Sequence, residues 1–519
     1  MSEKNFYLTT PIYYVNDKPH IGHAYTTILG DVLSRCHRLL GDPVHFLTGT
    51  DEHGQKVERA AKKNNTDPLT HCDTYVKRFQ ELWQRLNISN DDFIRTTQER
   101  HVTIVQKILQ DLWDRKLIYQ ADYEGNYCVA CERYFTDKDL KDGCCPDCGR
   151  KVETLVEKNY FFKMSAFQQQ LIDHINAHPD FIKPANRRQE TLGFLKQPLD
   201  DLCISRSKAR LSWGIELPFD KDYVTYVWFD ALVNYISAVG YLADDASFKT
   251  WWPANFHLIG KDILTTHSVY WPTMLMAMGL PLPQTIFAHG WWLVSGDKMS
   301  KSTGNVVNPM DMADKYGVDS LRYFLMAAMS LGQDANFSEE SFVVKYNADL
   351  ANNLGNLLSR MTTMVVKNFD GKLPAIGEST PDEAELADAC KKAAESWENA
   401  IKNMQLDRGV ADIMAACAAT NRYFDAMKPW AMAKEGDTAS LARVLRTTAE
   451  ALRVISGLLY PVMPTKMEEM RRSIGIAEDQ LIPSMANLGE WNQLQDGAAV
   501  APIPGSLFPR IKLEAPAAN

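Results

Sequence analysis

Apolar residues follow two rhythms along this chain. Short apolar runs separated by helical stretches extend to about residue 340, and an almost unbroken helical period continues from there to about 480. Residues 5–10, Asn-Phe-Tyr-Leu-Thr-Thr, make a run short enough for a buried strand, with a loop expected over 11–19. From about His20 to Leu40 the residues Ile21, Ile28, Val32, Cys36 and Leu39 recur at intervals of three, four and seven. That spacing predicts an amphipathic helix, stopped by Gly41. Val44-His-Phe-Leu-Thr48 predicts a second strand, with Gly49-Thr-Asp-Glu-His-Gly54 leaving its carboxyl end. Strand, helix, strand opens a doubly wound parallel sheet, whose ligands bind beyond the carboxyl ends of the strands.

Around residue 120 the alternation breaks into a Cys-rich and then mixed stretch, and it resumes near 225. Val224–Trp228, Phe256–Ile259 and Thr285–Ala288 read as strands, and a Met-rich helix is expected near 263–278. The pattern divides the chain into a first half-domain at 1–115, an insertion at 116–225 and a second half-domain at 226–290. A Gly/Ser-containing loop region follows at 291–345, then a helical region at 346–495 and a tail at 496–519. The break at 370–377 reads as a turn between helices, and Leu507-Phe-Pro-Arg-Ile511 is expected to dock on the body. The expected fold is α/β: a split Rossmann-like doubly wound parallel sheet carrying a zinc-knuckle insertion, followed by an all-α bundle.

Composition changes this picture little. Hydrophobic content of 45% and charged content of 23% are ordinary for a globular chain. Net charge is −9, so any nucleic acid must be met by local basic and aromatic surface instead of a general positive field. The start lacks the apolar core of a signal peptide and no apolar run is long enough for a bilayer, so a cytoplasmic protein without a membrane partner is expected.

Cysteine usage does change it. Five of ten cysteines fall in 128–148, as Cys128-Val-Ala-Cys131 and Cys145-Pro-Asp-Cys148 with Cys144 adjacent. Two CxxC knuckles at this separation suit one closed tetrahedral Zn²⁺ site of structural role; Cys144 is an alternative to Cys145 as the third ligand.

Two further motifs carry reactive chemistry. His20-Ile-Gly-His23 opens the first predicted helix, where backbone N–H groups and the helix dipole favour phosphate. Gly22 removes a side chain where a nucleotide approaches. Lys298-Met-Ser-Lys-Ser302 lies on a loop introduced by Ser295-Gly296, whose two lysines can close over phosphates. Together they suit holding the triphosphate of ATP while a carboxylate attacks its α-phosphorus.

With these residues in view, the chain resembles the class I aminoacyl-tRNA synthetases, and among them the methionyl-tRNA synthetases, over essentially its whole length. Both signatures, the paired knuckles, Pro11-Ile-Tyr-Tyr-Val-Asn-Asp17 and Thr225-Tyr-Val-Trp-Phe-Asp-Ala231 carry the resemblance. Gly260-Lys-Asp-Ile263, His267-Ser-Val-Tyr-Trp-Pro272, Asn356-Leu-Leu-Ser-Arg360 and Lys428-Pro-Trp430 extend it. It implies activation of L-methionine by ATP with Mg²⁺ to methionyl-adenylate and pyrophosphate. Transfer to the 2′-OH of the terminal adenosine of tRNA(Met) follows.

The resemblance assigns catalysis to His20, His23, Lys298 and Lys301. It assigns ATP to these four together with Gly22, Lys261, Asp262, His289, Gly290 and Trp291. Methionine falls to Ile12, Tyr14, Asp51, Trp228, Leu232, Tyr235, His267 and Trp271, with Asp51 on the substrate ammonium and Tyr235 and His267 near the sulfur. Leu232 stands where many members carry Pro, which touches pocket shape. The CAU anticodon falls to Asn356, Arg360 and Trp430, and 291–345 to a stem-contact region. No DNA partner is implied. A monomer is expected, since the chain ends at Asn519 without the dimerising C-terminal domain of some members.

Three rivals stand against this expectation. Class I synthetases for branched-chain amino acids carry a larger editing insertion, and those for cysteine hold zinc in the amino-acid pocket. A non-catalytic tRNA-binding relative would not require His20, His23, Lys298 and Lys301. A small nucleotidyltransferase would have no use for the helical region.

Overall fold

The computed structural model describes residues 5–15, 18–129, 133–135, 139–146, 148–294, 296–298 and 306–512. They divide into two compact units: the first of residues up to Gly30 and Pro43–His289, the second of Asp31–Asp42 and residues from Gly290 onward.

The first unit is built on a six-stranded sheet whose paired neighbours all run parallel. Its strands are β1 (Phe6–Tyr14), β2 (Val44–Asp51), β3 (Asp92–Arg95), β4 (Ile182–Lys183), β5 (Phe256–Gly260) and β6 (Thr285–His289), in spatial order β3-β2-β1-β5-β6-β4. The sheet order reverses direction between β1 and β5, the place where doubly wound sheets open a crevice. Helix α1 (Ile21–Leu39) connects β1 to β2.

Four local expectations are corrected. The predicted loop from Pro11 is instead the second half of β1. The β1/β2 register shifts between Thr9 and Ile12, so Pro11, which has no N–H to donate, occupies the irregularity and the strand continues. Likewise β2 runs on through Gly49-Thr50-Asp51. A Cβ on Gly49 would fall 2.0 Å from the Ile94 carbonyl oxygen, so only glycine lets β3 lie this close. The run ending at Trp228 is not one strand: the strand Asp220–Thr225 stops, and Trp228 lies on a helix, Val227–Leu232. A short apolar run suits either state, and here tertiary packing decides. Finally, the Met-rich helix begins as a 3₁₀ turn, Lys261–Ile263, and widens into a π turn, Thr266–Tyr270, before Trp271–Met278. Pro272 cannot donate to a carbonyl one turn back, which accounts for the widening just ahead of it.

The insertion carries a four-stranded antiparallel sheet ordered Arg133–Phe135, Ile118–Cys128, Glu153–Phe162, Leu202–Cys203. It also contributes β4, which pairs with β6 at the edge of the main sheet.

The second unit holds the later part of α1 and the helices Val318–Ala327, Asn356–Phe369, Pro381–Asn403, Leu406–Met427, Thr438–Leu459 and Pro464–Ser473. Asp31, on α1, and Arg322 are fully buried and joined at 2.6 Å. The Arg322 guanidinium also donates to the main-chain carbonyls of Pro461 and Val462, both at 2.9 Å. Leu507 and Phe508 are buried, and Tyr346 Oη donates to the Pro509 carbonyl at 2.9 Å.

Candidate active site

The start of α1 fixes two imidazoles through the backbone. The His20 N–H donates to His23 Nδ1 at 3.0 Å, and the Gly22 N–H donates to His20 Nδ1 at 3.1 Å. Each Nδ1 is thereby an acceptor, so in the neutral ring the proton sits on Nε2 and each histidine offers one Nε2–H donor. The ring centroids are 3.9 Å apart. Desolvation, and after it the His20 ring, holds His23 well below the ordinary histidine pKa, so it is neutral at physiological pH. A Cβ on Gly22 would lie 2.9 Å from His20 Cε1, so the glycine makes room for the His20 ring itself. One turn on, Thr26 Oγ1 donates to the Gly22 carbonyl and accepts from His289 Nε2 at 2.7 Å, tying the end of β6 to α1.

The residues expected to receive the amino acid begin at strand ends. The β1/β2 register sets Tyr14 opposite Asp51, which is 2% exposed at the carboxyl end of β2. Ile12 lies two residues before Tyr14 and is half-buried. Trp228 and Leu232 project from Val227–Leu232, and the Trp228 ring meets Tyr14 edge to face at 6.3 Å.

Tyr235, His267 and Trp271 are buried and linked. His267 Nδ1 donates to the Ile263 carbonyl at 2.9 Å, which leaves Nε2 as acceptor for the Tyr235 hydroxyl at 2.8 Å. Trp271 Nε1 donates to His257 Nε2 at 3.2 Å, and His257 Nδ1 in turn donates to Thr9 Oγ1 at 2.7 Å. The His257 ring stacks on Tyr235 at 4.3 Å. Burial lowers both imidazoles, His257 well below the usual value and His267 to about 4.

This has a measurable consequence for stability. An unfolded chain takes up protons on histidine near 6.5, whereas folded His267 resists until about 4. Its stabilising contribution is therefore complete above pH 6.5 and is lost as the pH falls from there towards 4, roughly 3 kcal/mol in all. In thermal melts between pH 7 and 4, a His267→Asn variant is expected to show a shallower acid loss than the parent.

Lys261 and Asp262 stand on the turn directly after β5, half-buried and exposed respectively. In the second unit, the chain at Gly290 and Trp291 is held by the Trp291 N–H donating to Asp334 Oδ1 at 2.8 Å. Lys298 belongs to a short strand, Asp297–Lys298, paired with Trp292–Val294. Lys301, like the rest of the signature from Met299, lies outside the described residues.

The ligand sulfurs of Cys128, Cys145 and Cys148 lie within 4.8 Å of one another, with Cys128 and Cys148 at 3.5 Å. Sulfurs sharing a tetrahedral zinc at the usual bond length are about 3.8 Å apart, so the cluster can bind a metal. Cys131 lies outside the described residues. Cys144 is not in the cluster; its backbone bridges Lys141 and Lys151.

On Asn356–Phe369, Asn356 is exposed, while Arg360 is paired with Asp425 at 2.6 Å. The Arg360 guanidinium lies 4.8 Å from the Phe424 ring centroid and 5.5 Å from that of Trp430, which is 48% exposed.

The sequence reading gave no role to three residues that the structure joins. Both oxygens of buried Asp230 are taken by imidazoles, His53 Nδ1 and His101 Nε2, each at 2.7 Å. The available signal was a lone carboxylate within the apolar run Val-Trp-Phe-Asp-Ala-Leu.

Comparison with known proteins follows the same lines. A family model described as "tRNA synthetases class I (M)" matches residues 6–155 and 148–362. A second, "Anticodon binding domain of methionyl tRNA ligase", matches 373–518. The chain is 45% identical to a methionine–tRNA ligase of Caldanaerobacter subterraneus, covering 99% of this chain and 80% of that one. It is 44% identical to that of Streptomyces coelicolor, covering 99% and 98%. A solved structure, Mycobacterium tuberculosis methionyl-tRNA synthetase in complex with methionyl-adenylate, is similar with a TM-score of 0.93. That similarity comes at 39% identity, over 98% of this chain and all of that one.

Proposed function

Because the chain belongs to the class I methionyl-tRNA synthetases, we propose that its reaction runs on the side chains described above. The enzyme is a ligase that joins methionine to tRNA(Met) at the expense of ATP, through methionyl-adenylate. What supports the assignment of its chemistry most directly is the pair of Nε2–H donors at the start of α1.

The methionine carboxylate attacks the α-phosphorus of ATP in line, so no side-chain nucleophile is required. Charge builds on the phosphoryl oxygens as pyrophosphate leaves. His20 and His23 stabilise it as neutral donors already held in place, which is worth most in the transition state. Lys298 and Lys301 supply positive charge to the β- and γ-phosphates, and the Mg²⁺ that travels with ATP neutralises part of the same charge. Gly22, Lys261, Asp262, His289, Gly290 and Trp291 make up the rest of the ATP-binding group.

Asp51 receives the substrate ammonium as a charge-assisted bond at a strand end. Ile12, Tyr14, Trp228, Leu232 and Trp271 enclose the side chain, where sulfur–aromatic contacts favour a thioether. The Tyr235 hydroxyl proton is committed to His267 Nε2, so the sulfur meets oxygen lone pairs and ring faces, with no charged group at neutral pH.

Cys128, Cys131, Cys145 and Cys148 are the proposed ligands of one Zn²⁺. Four thiolates would close its coordination and leave a structural role. Asn356, Arg360 and Trp430 are assigned to the anticodon within the helical region 346–495. An exposed indole beside a guanidinium suits an unstacked base. Among the described residues no helix is long and apolar enough to cross a membrane. Cytoplasmic location is proposed with the activity.

ATP–pyrophosphate exchange tests the site reading, with each of the twenty amino acids supplied separately to the purified enzyme. Methionine alone is expected to support exchange; equal exchange with a second amino acid would overturn the pocket assignment.

A further inference from the structure

We propose that Asp230 is a positioning residue for methionine, acting through His53 to hold the loop that carries Asp51. The inference rests on the reading of Asp51 as the ammonium anchor and adds to it a reason why that carboxylate stays in place.

Asp51 ends β2, and the chain leaves through Glu52, His53 and Gly54 before the helix Gln55–Lys63. Such an exit turn is the part of a sheet least constrained by ladder hydrogen bonds, yet both residues after Asp51 are pinned. Glu52 is fully buried and accepts from Arg95 Nε at 2.7 Å and Nη2 at 3.0 Å. The Glu52 N–H also donates to Thr96 Oγ1 at 3.0 Å. These bonds anchor the turn to the neighbouring edge of the sheet. They do not reach the helix that forms the other side of the pocket.

His53 does. Its Nδ1 meets Asp230 Oδ2 at 2.7 Å. Asp230 lies between Trp228 and Leu232 on Val227–Leu232, so one bond joins the Asp51 turn to the helix bearing two pocket side chains. The second carboxylate oxygen is held at 2.7 Å by His101 Nε2, from the helix Glu99–Asp114, and His101 Nδ1 lies 2.9 Å from Ser237 Oγ. Asp230 and His101 are fully buried and His53 is 6% exposed.

A carboxylate in such a place is costly unless each oxygen is satisfied. Burial alone would raise Asp230, but His53 and His101 together hold it below the ordinary aspartate value, so it is ionised. An ionised carboxylate only accepts, and it fixes the protonated nitrogen of both rings towards itself. The geometry of ammonium anchor to aromatic wall is thus set by one buried anion, and a small displacement of an anchoring group is expensive in binding.

The test compares Asp51→Asn, His53→Leu, Asp230→Asn and the His53→Leu/Asp230→Asn double variant in methionine- and ATP-dependent exchange. Leucine is chosen at 53 because an asparagine nitrogen would stand in for Nδ1 and keep the bond. Each is checked by thermal melting and circular dichroism. His53→Leu and Asp230→Asn are each expected to raise the KM for methionine at least tenfold and to leave the KM for ATP within twofold. The double variant should be no worse than the poorer single one, since both changes break the same His53–Asp230 bond. A merely structural role would lower the melting temperature without splitting the two KM values. If Asp51→Asn leaves the methionine KM unchanged, the anchor reading itself fails. If Asp51→Asn raises it while His53→Leu stays within twofold, or the single effects multiply in the double variant, the positioning role is overturned. Should Asp230→Asn not fold, His53→Leu decides the question alone.

Discussion

Asp51→Asn is expected to lower kcat/KM for methionine in pyrophosphate exchange by about one and a half to three and a half orders of magnitude. Truncating one partner of a desolvated, hydrogen-bonded charge pair costs about 2–5 kcal/mol, and 1.4 kcal/mol is a factor of ten. Asparagine keeps the shape of the side chain and removes its charge. Asp51 is 2% exposed, so water cannot screen the difference. The loss should fall on methionine and leave the KM for ATP near its parental value. A variant with less than a fivefold loss would place the ammonium elsewhere.

The second large effect concerns which nitrogen of His23 matters. Its Nδ1 is engaged by the His20 N–H, so on the proposed role the donor to the phosphoryl oxygens is Nε2. A glutamine amide nitrogen reaches about as far from the backbone as Nε2, whereas an asparagine nitrogen reaches only as far as Nδ1. His23→Asn is therefore expected to lower kcat for adenylate formation by about 10²–10³-fold, the usual loss for one preorganised donor. His23→Gln should retain measurably more activity, with the KM for methionine little changed in either. Single-turnover adenylate formation measures this directly, and equal losses in the two variants would point to Nδ1 or to packing as the cause.

Much of the fold was legible in the sequence alone. The apolar runs behind β1, β2, β5 and β6 are short and bounded, and α1 has a clean helical period and a terminal glycine, so propensity and packing agree there. The closeness of His20 to His23 and of Cys128 to Cys145 and Cys148 was legible because their spacing in sequence is short.

What escaped depended on distant partners. The strand character of Pro11–Tyr14 rests on a register shift against β2, which no residue of β1 announces. Strand β4 is two residues of the insertion, Ile182–Lys183, recruited by β6. Trp228 reads as strand until the helix around it is seen to bury Phe229, Asp230 and Leu232. The Asp230 cluster joins residues 177 and 129 positions apart, and no periodicity carries that.

The allotment of Asp31–Asp42 to the second unit bears on how this gene can be cut and rejoined. A fragment starting at Gly290 would contain Arg322 and the carbonyls of Pro461 and Val462, but not the carboxylate of Asp31. It would have to fold around a fully buried guanidinium that has lost the Asp31 carboxylate; removing one partner of a buried ion pair costs about 3–5 kcal/mol, a large part of a typical folding free energy. The helical part of the molecule is therefore not a transplantable module as it stands. Recombination that swaps everything after β6 between homologues must also match the carboxylate on α1, more than two hundred residues upstream, so inheritance of the C-terminal half is tied to a position in the N-terminal one.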